Sequence, residues 1–255
     1  MLFDSHAHYD DERFNDDRDS ILKKVFSSGV EGVLNAASDA ASIDSTIALT
    51  EQYEFVYGAV GIHPHNVQEA NENILEKIAE LTKRPKVVAI GEIGLDYYYD
   101  FSPRALQKKW LIMQIGLAKD LKMPVIIHNR DSHQDVMEII KSENAKEVGG
   151  VFHMFTGSTE MAKILLDNNF FISVGGVVTF KNARKIVEVI KSIPLDRLLI
   201  ETDCPYMTPV PYRGKRNDSS YLINTAQKIA EIRNTEVEII AEATTKNVKE
   251  LFKIG

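Results

Sequence analysis

The chain has 255 residues, the usual length of one (β/α)8 barrel and enough to bury a large core. It is 44% hydrophobic and 26% charged, which excludes the disordered and repetitive classes of protein. The net charge of −7 argues against a protein that coats nucleic acid through a basic surface, although it is compatible with local basic clusters.

Features that would direct the chain out of the cytoplasm are not found. Cys204 is the single cysteine, so an intramolecular disulfide cannot form. The first residues show no basic stretch followed by an apolar one, and no apolar run approaches the roughly 18 to 20 residues of a membrane span. We therefore expect a cytoplasmic protein that is not integral to a membrane. With no obvious exposed apolar stripe, a monomer is the expected state.

Short apolar, β-branched runs alternate with longer segments whose apolar residues recur at intervals of three and four, as in strand–helix units with a parallel sheet. Eight strands are predicted: Leu2–His6, Gly32–Ala37, Phe55–Gly61, Val87–Glu92, Val125–His128, Gly150–His153, Phe171–Val174 and Leu198–Glu201. Helices are predicted between them, for example Ser20–Ser28, Ile74–Leu81, Pro103–Lys122 and Asn182–Ser192, with a final pair near Tyr221–Arg233 and Val237–Leu251. Ser102 is predicted to be an N-cap, with Pro103 at the first helical position.

Eight such units predict one (β/α)8 TIM-barrel domain over residues 1–255, because closing the sheet removes both of its edges. An open, doubly wound sheet is the alternative. The stretch 205–214 is too short to separate domains and is interpreted as a loop after the eighth strand. In such barrels the functional residues lie at the C-terminal ends of the strands.

Six side chains that can bind a metal ion stand at the ends of five predicted strands. They are His6, His8, Glu92, His128, His153 and Asp203. A buried histidine or a turn aspartate would explain any one of them, but packing does not account for five coincidences of suitable chemistry. Imidazole with carboxylate suits a catalytic ion, whereas a structural zinc site usually presents cysteines. We expect one or two divalent ions, with magnesium, manganese and zinc as the candidates.

Spacing and position suggest a role for each of these residues. His6 and His8 are two residues apart in an extended segment, so both imidazoles point to the same side. Glu92 closes a buried run, where two metal ions could share its oxygens. Asp203 can bind a metal and accept a proton from an attacking water, so it is predicted to be both ligand and general base. Glu201, on the same predicted face, is interpreted as a group that orients ligands.

Residues for substrate contact are predicted at the same rim. His63 ends the third strand, where the alternative is that it stiffens the loop around Pro64. Arg130, Arg213 and Arg216 follow the fifth and eighth strands, where guanidinium groups could hold a substrate phosphate in fork geometry or form a solvated loop.

An aromatic segment, Tyr97–Phe101, follows the fourth predicted strand. Its rings could stack bases, as those of single-strand binders do, or pack as a lid. Cys204 lies beside Asp203, but no unassigned histidine is available to activate it, so a cysteine nucleophile is not expected.

Seven motifs, taken jointly and in order, resemble those of the TatD family of metal-dependent DNases. They are Asp4-Ser-His-Ala-His, Gly61-Ile-His-Pro-His, Gly91-Glu-Ile-Gly-Leu-Asp, Pro124-Val-Ile-Ile-His, Val151-Phe-His-Met-Phe-Thr-Gly, Glu201-Thr-Asp-Cys-Pro-Tyr and Arg213-Gly-Lys-Arg-Asn. The resemblance runs from residue 4 to about 250. It implies a TIM-barrel hydrolase with a divalent metal centre on the same six residues and exonuclease-type DNase activity on single-stranded or damaged DNA.

The wider group that the chain resembles is the amidohydrolase superfamily, in which a modified lysine often bridges the metals after the fourth strand. Glu92 stands there in this chain, which favours the TatD branch over phosphotriesterase-like or urease-like enzymes.

Two other functions fit the same residues. The first is another hydrolase on this barrel, such as an amidase, a lactonase or an esterase acting on aminoacyl-tRNA, although the basic loop and the aromatic segment favour nucleic acid. The second is a metal-binding interaction protein without turnover. A substrate panel measured together with metal binding separates these possibilities.

Overall fold

Parallel strands and helices alternate along the chain in the computed structural model, which describes residues Met1–Gly255. The strands are β1 Leu2–Ala7, β2 Val30–Ala36, β3 Val56–Val60, β4 Val87–Asp96, β5 Val125–Arg130, β6 Gly150–Phe152, β7 Phe170–Val174 and β8 Leu198–Ile200.

The helices lie between and after these strands. They are α1 Arg18–Ser27, α2 Ala40–Gln52, α3 Ile74–Leu81, α4 Arg104–Leu121, α5 His133–Ser142, α6 Thr159–Asp167, α7 Arg184–Ser192, α8 Leu222–Arg233 and α9 Val237–Phe252. Each of α1 to α7 follows the strand of the same number, and α8 and α9 follow β8. None of these helices combines the length and the apolar character needed to cross a bilayer.

The sheet curls into a nearly closed barrel. The strands pair in chain order from β1 to β8, and every neighbouring pair is parallel. The first and last strands meet through Ser5 Oγ, which donates to Ile200 O at 2.9 Å. Beyond the strand ends, Asp203 N donates to His6 O at 2.9 Å and His8 N to Cys204 O at 2.8 Å. The predicted TIM barrel is therefore confirmed, and the open doubly wound alternative is wrong.

Side chains inside the barrel form an apolar layer with a polar layer above it. Every strand contributes to the apolar layer, which includes Phe3 and Phe171, and Phe252 of α9 packs against it. Above it Ser5 Oγ lies 3.1 Å from Ser173 Oγ, which donates to Glu201 Oε2 at 2.6 Å. A larger apolar cluster fills the space between the strands and the helices. This polar layer lies directly below the C-terminal ends of the strands, where the candidate site residues are located.

The largest difference from the predicted strands lies in β4, which continues beyond Glu92 to Asp96. Glu92 is therefore inside a strand, and the prediction that it closes the run was wrong. The register against β5 shifts between Ile90 and Ile93, so the strand bulges at Glu92. Bulges of this kind redirect a side chain next to a functional site. Gly94 then permits close approach to β5, because a Cβ there would lie 1.9 Å from His128 O.

The predicted N-cap at Ser102 is also wrong. Helix α4 begins at Arg104, its N-cap is Pro103, and no side chain caps it. Ser102 Oγ instead donates to His65 O at 2.9 Å and accepts from Gln68 N at 3.2 Å. The Ser102 hydroxyl is thus bonded to backbone groups of the loop after β3, and it is not available to cap the first turn of α4.

Candidate metal centre

Glu92 lies at the centre of the barrel mouth, with an exposed fraction of only 2%. Its Oε1 lies 2.8 Å from His128 Nδ1 and 2.8 Å from His153 Nε2. Its Oε2 lies 3.3 Å from His6 Nε2 and 3.6 Å from His8 Nε2. The two oxygens of one carboxylate therefore face two separate pairs of imidazoles.

Asp203 joins the pair formed by the first strand. Its Oδ1 lies 3.3 Å from His8 Nε2 and 3.9 Å from His6 Nε2. One donor atom from each of these three residues lies within 4.8 Å of the others. The structure thus brings all six residues that the sequence analysis selected into one group around Glu92.

The donor atoms face one another in a way that fits a cation. His6 Nε2 lies 3.1 Å from His8 Nε2, and His128 Nδ1 lies 3.1 Å from His153 Nε2. Two imidazole nitrogens can face each other at that distance only with a proton or a cation between or beside their lone pairs. Imidazole nitrogens with carboxylate oxygens suit Zn²⁺ and Mn²⁺, and carboxylates suit Mg²⁺. The residues present therefore fit a divalent metal centre.

Hydrogen bonds to the backbone hold His8 and the loop that carries Asp203 in position. His8 Nδ1 donates to Ala36 O at 2.8 Å, so its Nε2 faces the centre. Asp203 has a φ of +55° and is held by its N–H bond to His6 O. The preceding residue is fixed by Asp4, whose Oδ1 accepts from Thr202 N at 2.9 Å. Burial raises the pKa of Asp4 to about 7, although its hydrogen bonds oppose the shift. Asp4 thus ties the first strand to the loop that carries Asp203.

Asp96 is a functional candidate that the sequence analysis missed. It is buried at the end of β4, and its Oδ2 lies 3.0 Å from His128 Nε2 and 2.9 Å from His65 Nε2. A carboxylate on the outer nitrogen of a histidine fixes the proton there and leaves the inner nitrogen free. Its position after Gly-Leu in the third motif was the available signal, but the predicted strand ended four residues earlier.

Glu201 and His153 form a similar pair. His153 Nδ1 lies 3.5 Å from Glu201 Oε1, which is within ion-pair distance, but the two atoms do not meet the geometry of a hydrogen bond. Glu201 also accepts hydrogen bonds from Met154 N and Ser173 Oγ. Both of its oxygens are thus engaged by the barrel, and one donor atom from each of Glu201, His153 and His6 lies within 4.8 Å of the others. The orienting role of Glu201 stays a prediction.

His63 lies at the same rim and faces Glu92. Its Nε2 is 3.5 Å from Glu92 Oε1, a distance that by itself would admit it as a metal ligand. Its Nδ1 accepts from His65 N at 3.1 Å, so in the neutral ring the proton is on Nε2. Burial lowers the pKa of His63 to about 3, which keeps the ring neutral. His63 therefore presents an N–H donor to the mouth of the barrel, not a lone pair.

Charges at the centre are strongly coupled. Burial opposes ionisation of Glu92, but the neighbouring imidazoles, His153 first, hold its pKa well below its usual value. Burial also opposes protonation of His8, but the hydrogen bond to Asp203 and the charge of Glu92 raise its pKa to about 9. Ionised carboxylates thus hold protons on imidazoles, and a divalent cation would compete with those protons.

The three arginines predicted to contact substrate differ in their surroundings. The guanidinium of Arg130 lies 3.9 Å from the centroid of the Tyr98 ring and forms no ion pair. Arg213 lies 3.8 Å from the centroid of the Phe180 ring and likewise has no carboxylate partner. Arg216 is instead bound within the protein, because it donates to Asp17 Oδ2 at 2.6 Å and to a backbone carbonyl. Arg130 and Arg213 thus have no ion-pair partner, whereas the charge of Arg216 is neutralised within the protein.

Cys204 is fully buried, and burial raises the pKa of its thiol. A protonated, inaccessible thiol cannot act as a nucleophile.

The chain is similar to known proteins over its whole length. A family model described as TatD related DNase matches residues 3–253. A Bacillus subtilis protein named uncharacterized metal-dependent hydrolase YabD is 48% identical over 100% of both chains. An Escherichia coli protein named 3′-5′ ssDNA/RNA exonuclease TatD is 34% identical, again over 100% of both chains. The crystal structure of YJJV, a TatD homologue from Escherichia coli K12, superposes with a TM-score of 0.93 at 32% identity, covering 100% of this chain and 98% of that one.

Proposed function

The chain belongs to the TatD-related DNase family of metal-dependent hydrolases, and from this premise we propose that it hydrolyses phosphodiester bonds of single-stranded or damaged DNA from an end. The observation that carries the proposal is the Glu92 carboxylate, whose two oxygens face separate pairs of histidines. Such a centre is suited to a substrate whose reacting group is an anionic phosphoryl oxygen.

Two ions would be held around Glu92. His6, His8 and Asp203 would hold one, His128 and His153 would hold the other, and Glu92 would be shared. A divalent ion in such a site supplies Lewis-acid polarisation of a phosphoryl oxygen and activates water near neutral pH.

Residues of the chain would position the substrate and move the proton. Asp203 is only partly buried and its pKa is lowered, because the hydrogen bond to His8 outweighs burial, so it is ionised and able to accept a proton from the attacking water. The Nε2–H of His63 would donate a hydrogen bond to a phosphoryl oxygen. Arg130 and Arg213 would bind neighbouring phosphates through their unpaired guanidinium groups.

The acidic net charge of −7 is compatible with this substrate. A site that binds a few nucleotides at an end needs positive potential only near the bond that is cleaved, whereas wrapping a duplex requires a basic surface. The 34% identical relative named as a single-strand exonuclease supports nucleic acid over an amide, lactone or aminoacyl ester.

The test uses metal-stripped protein and end-labelled single-stranded DNA, with Mg²⁺, Mn²⁺ or Zn²⁺ restored in turn. We expect stepwise release of nucleotides only with metal. Asp203→Asn should lower the rate by about 10² to 10⁴-fold, as removal of a general base does. The exposed Asp167→Asn, at the end of α6, is the matched control and should keep full activity.

The proposal fails if the wild-type protein binds metal but leaves every DNA and RNA substrate intact. Turnover of an amide, lactone or ester panel would then assign another hydrolase activity. Tight metal binding without turnover of any substrate would assign an interaction protein instead.

A further inference from the structure

Three aromatic side chains that follow β4 are exposed together beside the barrel mouth. Tyr98, Tyr99 and Phe101 are 59%, 47% and 63% exposed, and we call them the aromatic platform. The rings of Tyr99 and Phe101 are stacked with centroids 5.2 Å apart, and Tyr98 meets Tyr99 edge-on at 4.9 Å. Aromatic rings carry large apolar faces, so a contiguous exposed group of them marks a surface that binds something.

The platform is fixed relative to the candidate metal centre by one carboxylate. Asp96 Oδ1 accepts from Tyr98 N at 3.0 Å and from Tyr99 N at 2.8 Å, while Oδ2 contacts His128. The ring of His65, which also contacts Asp96 Oδ2, lies 5.3 Å from that of Tyr99. A single imidazole therefore separates the platform from the histidines around Glu92.

An unpaired cation lies on the platform. The guanidinium of Arg130 is 3.9 Å from the ring centroid of Tyr98 and 4.8 Å from that of Tyr99. A guanidinium that stacks on a ring through its face keeps its edge N–H groups free for an anion. Two nearby acids, Asp100 and Asp135, are each already paired with a basic residue of α4. Arg130 thus contributes a positive charge that is in no ion pair, including with Asp131, its neighbour in the chain.

Exposed ring faces beside a free guanidinium match the two parts of a nucleotide, a planar base and a phosphate. Base stacking on aromatic faces tolerates any sequence, because every base has a π-face. A base inside a duplex is already stacked on both faces and cannot reach such a surface without leaving its helix. The chemistry of the platform therefore selects an unpaired nucleotide.

We propose that the aromatic platform and Arg130 form a binding subsite for one unpaired nucleotide of the substrate strand, next to the bond that is cleaved. The rings stack on its base, and the guanidinium binds its phosphate. This inference rests on the proposed nuclease function and adds to it a structural origin for single-strand preference.

The test measures binding separately from cleavage, in full-length protein that carries Asp203→Asn to prevent turnover. Because Asp203 is also a proposed ligand, the metal content of this variant is first measured by titration, and Mn²⁺ is kept at a saturating concentration. The probes are short single-stranded oligonucleotides that each carry the fluorescent base 2-aminopurine at a different position. Stacking should quench the fluorescence at one position of the strand. Tyr99→Leu with Phe101→Leu should abolish that quenching and weaken binding by about tenfold or more. Arg130→Gln should weaken binding while the quenching at saturation persists.

Matched controls separate stacking from general damage. Phe26→Leu removes an aromatic side chain of similar exposure from α1, distant in sequence from the platform, and should change neither quenching nor affinity. An oligonucleotide with an abasic sugar at the quenched position should bind the wild-type and leucine variants equally. Hydrolysis of bis(p-nitrophenyl) phosphate requires turnover, so it is measured in protein that keeps Asp203. There the leucine variants should keep the wild-type kcat.

The inference is overturned if no position is quenched, or if the leucine variants quench and bind like the parent protein, even when the wild type degrades single-stranded DNA. It is also overturned if the leucine variants lower the kcat for bis(p-nitrophenyl) phosphate, because that loss would place these rings in the chemistry. A wild-type protein that neither binds nor degrades DNA refutes the proposed function together with the subsite.

Discussion

Replacing Asp96 with asparagine tests how the candidate centre is organised, because it changes one atom beside His128 while keeping the shape of the side chain. Asp96 is buried, and although burial opposes its ionisation, the hydrogen bonds from His128 and His65 hold its pKa far below the usual range. As a carboxylate it can only accept, so His128 carries a proton on Nε2. In the metal-free protein His128 Nδ1 also donates, to Glu92 Oε1 at 2.8 Å, because the hydrogen bonds to the two carboxylates outweigh burial and raise the pKa of the ring. A metal ion would displace the proton on Nδ1, while Asp96 keeps the one on Nε2.

Asparagine at this position would keep the oxygen that accepts the backbone N–H groups of Tyr98 and Tyr99. Its amide NH₂ would take the place of Oδ2 and present a donor to His128 Nε2. The imidazole would then carry its proton on Nδ1, where it blocks the lone pair that faces the centre. The lost charge-assisted hydrogen bond contributes about 1.5–3 kcal/mol, which corresponds to roughly 10 to 150-fold in an equilibrium constant. Loss of such orienting partners typically lowers metal affinity about 10 to 100-fold.

The assay is titration of metal-stripped protein with Mn²⁺, with free Mn²⁺ measured by electron paramagnetic resonance. We expect Asp96→Asn to weaken at least one binding step by about 10 to 100-fold. Asp44→Asn, which removes an exposed carboxylate paired with Lys77, is the control and should bind Mn²⁺ like the wild type. Circular dichroism shows whether each variant is folded. Mn²⁺ affinity within about twofold of wild type in folded Asp96→Asn would refute the assignment of the proton to His128 Nε2.

Three further predictions concern protons, arginines and the backbone. Because Asp203 and Glu92 outweigh burial and raise the pKa of His8 to about 9, its ring is protonated at neutral pH in the metal-free protein. Mn²⁺ binding should therefore release protons, and the affinity for Mn²⁺ should increase as the pH rises towards 9. Calorimetry in two buffers of different ionisation enthalpy measures the number of protons released, and a value of zero would contradict this prediction. In steady-state kinetics on single-stranded DNA, Arg213→Gln should raise KM about fivefold with little change in kcat. Arg216→Gln should instead mainly lower Tm, by ~2 °C, because Arg216 is bound within the protein. Equal effects of the two substitutions on KM would be inconsistent with the different surroundings of the two arginines. Gly94→Ala should cost ~4 kcal/mol or more in urea unfolding, since its Cβ would lie 1.9 Å from His128 O, and a stability like that of the wild type would show that β4 can move away from β5.

Local pattern was sufficient to predict the barrel and the membership of the candidate centre. The alternation of apolar strands with amphipathic helices is a property of neighbouring residues, and eight such units close in only a few ways. The ends of parallel strands meet at one rim, so polar side chains at the ends of β1, β5, β6 and β8 were expected to converge. The structure does bring His6, His8, Glu92, His128, His153 and Asp203 together.

The partner of each polar side chain was not available from local pattern. Arg213 and Arg216 lie in one loop and looked equivalent, but Arg216 bonds to Asp17, which is 199 residues away in the chain. Asp96 acquires its role only because the bulge and Gly94 carry β4 alongside β5, up to His128. Short-range periodicity encodes which face of an element is buried. Hydrogen bonds between residues that are distant in sequence form only after the chain has closed, so the tertiary structure alone decides which charges are satisfied and which remain free to bind a ligand.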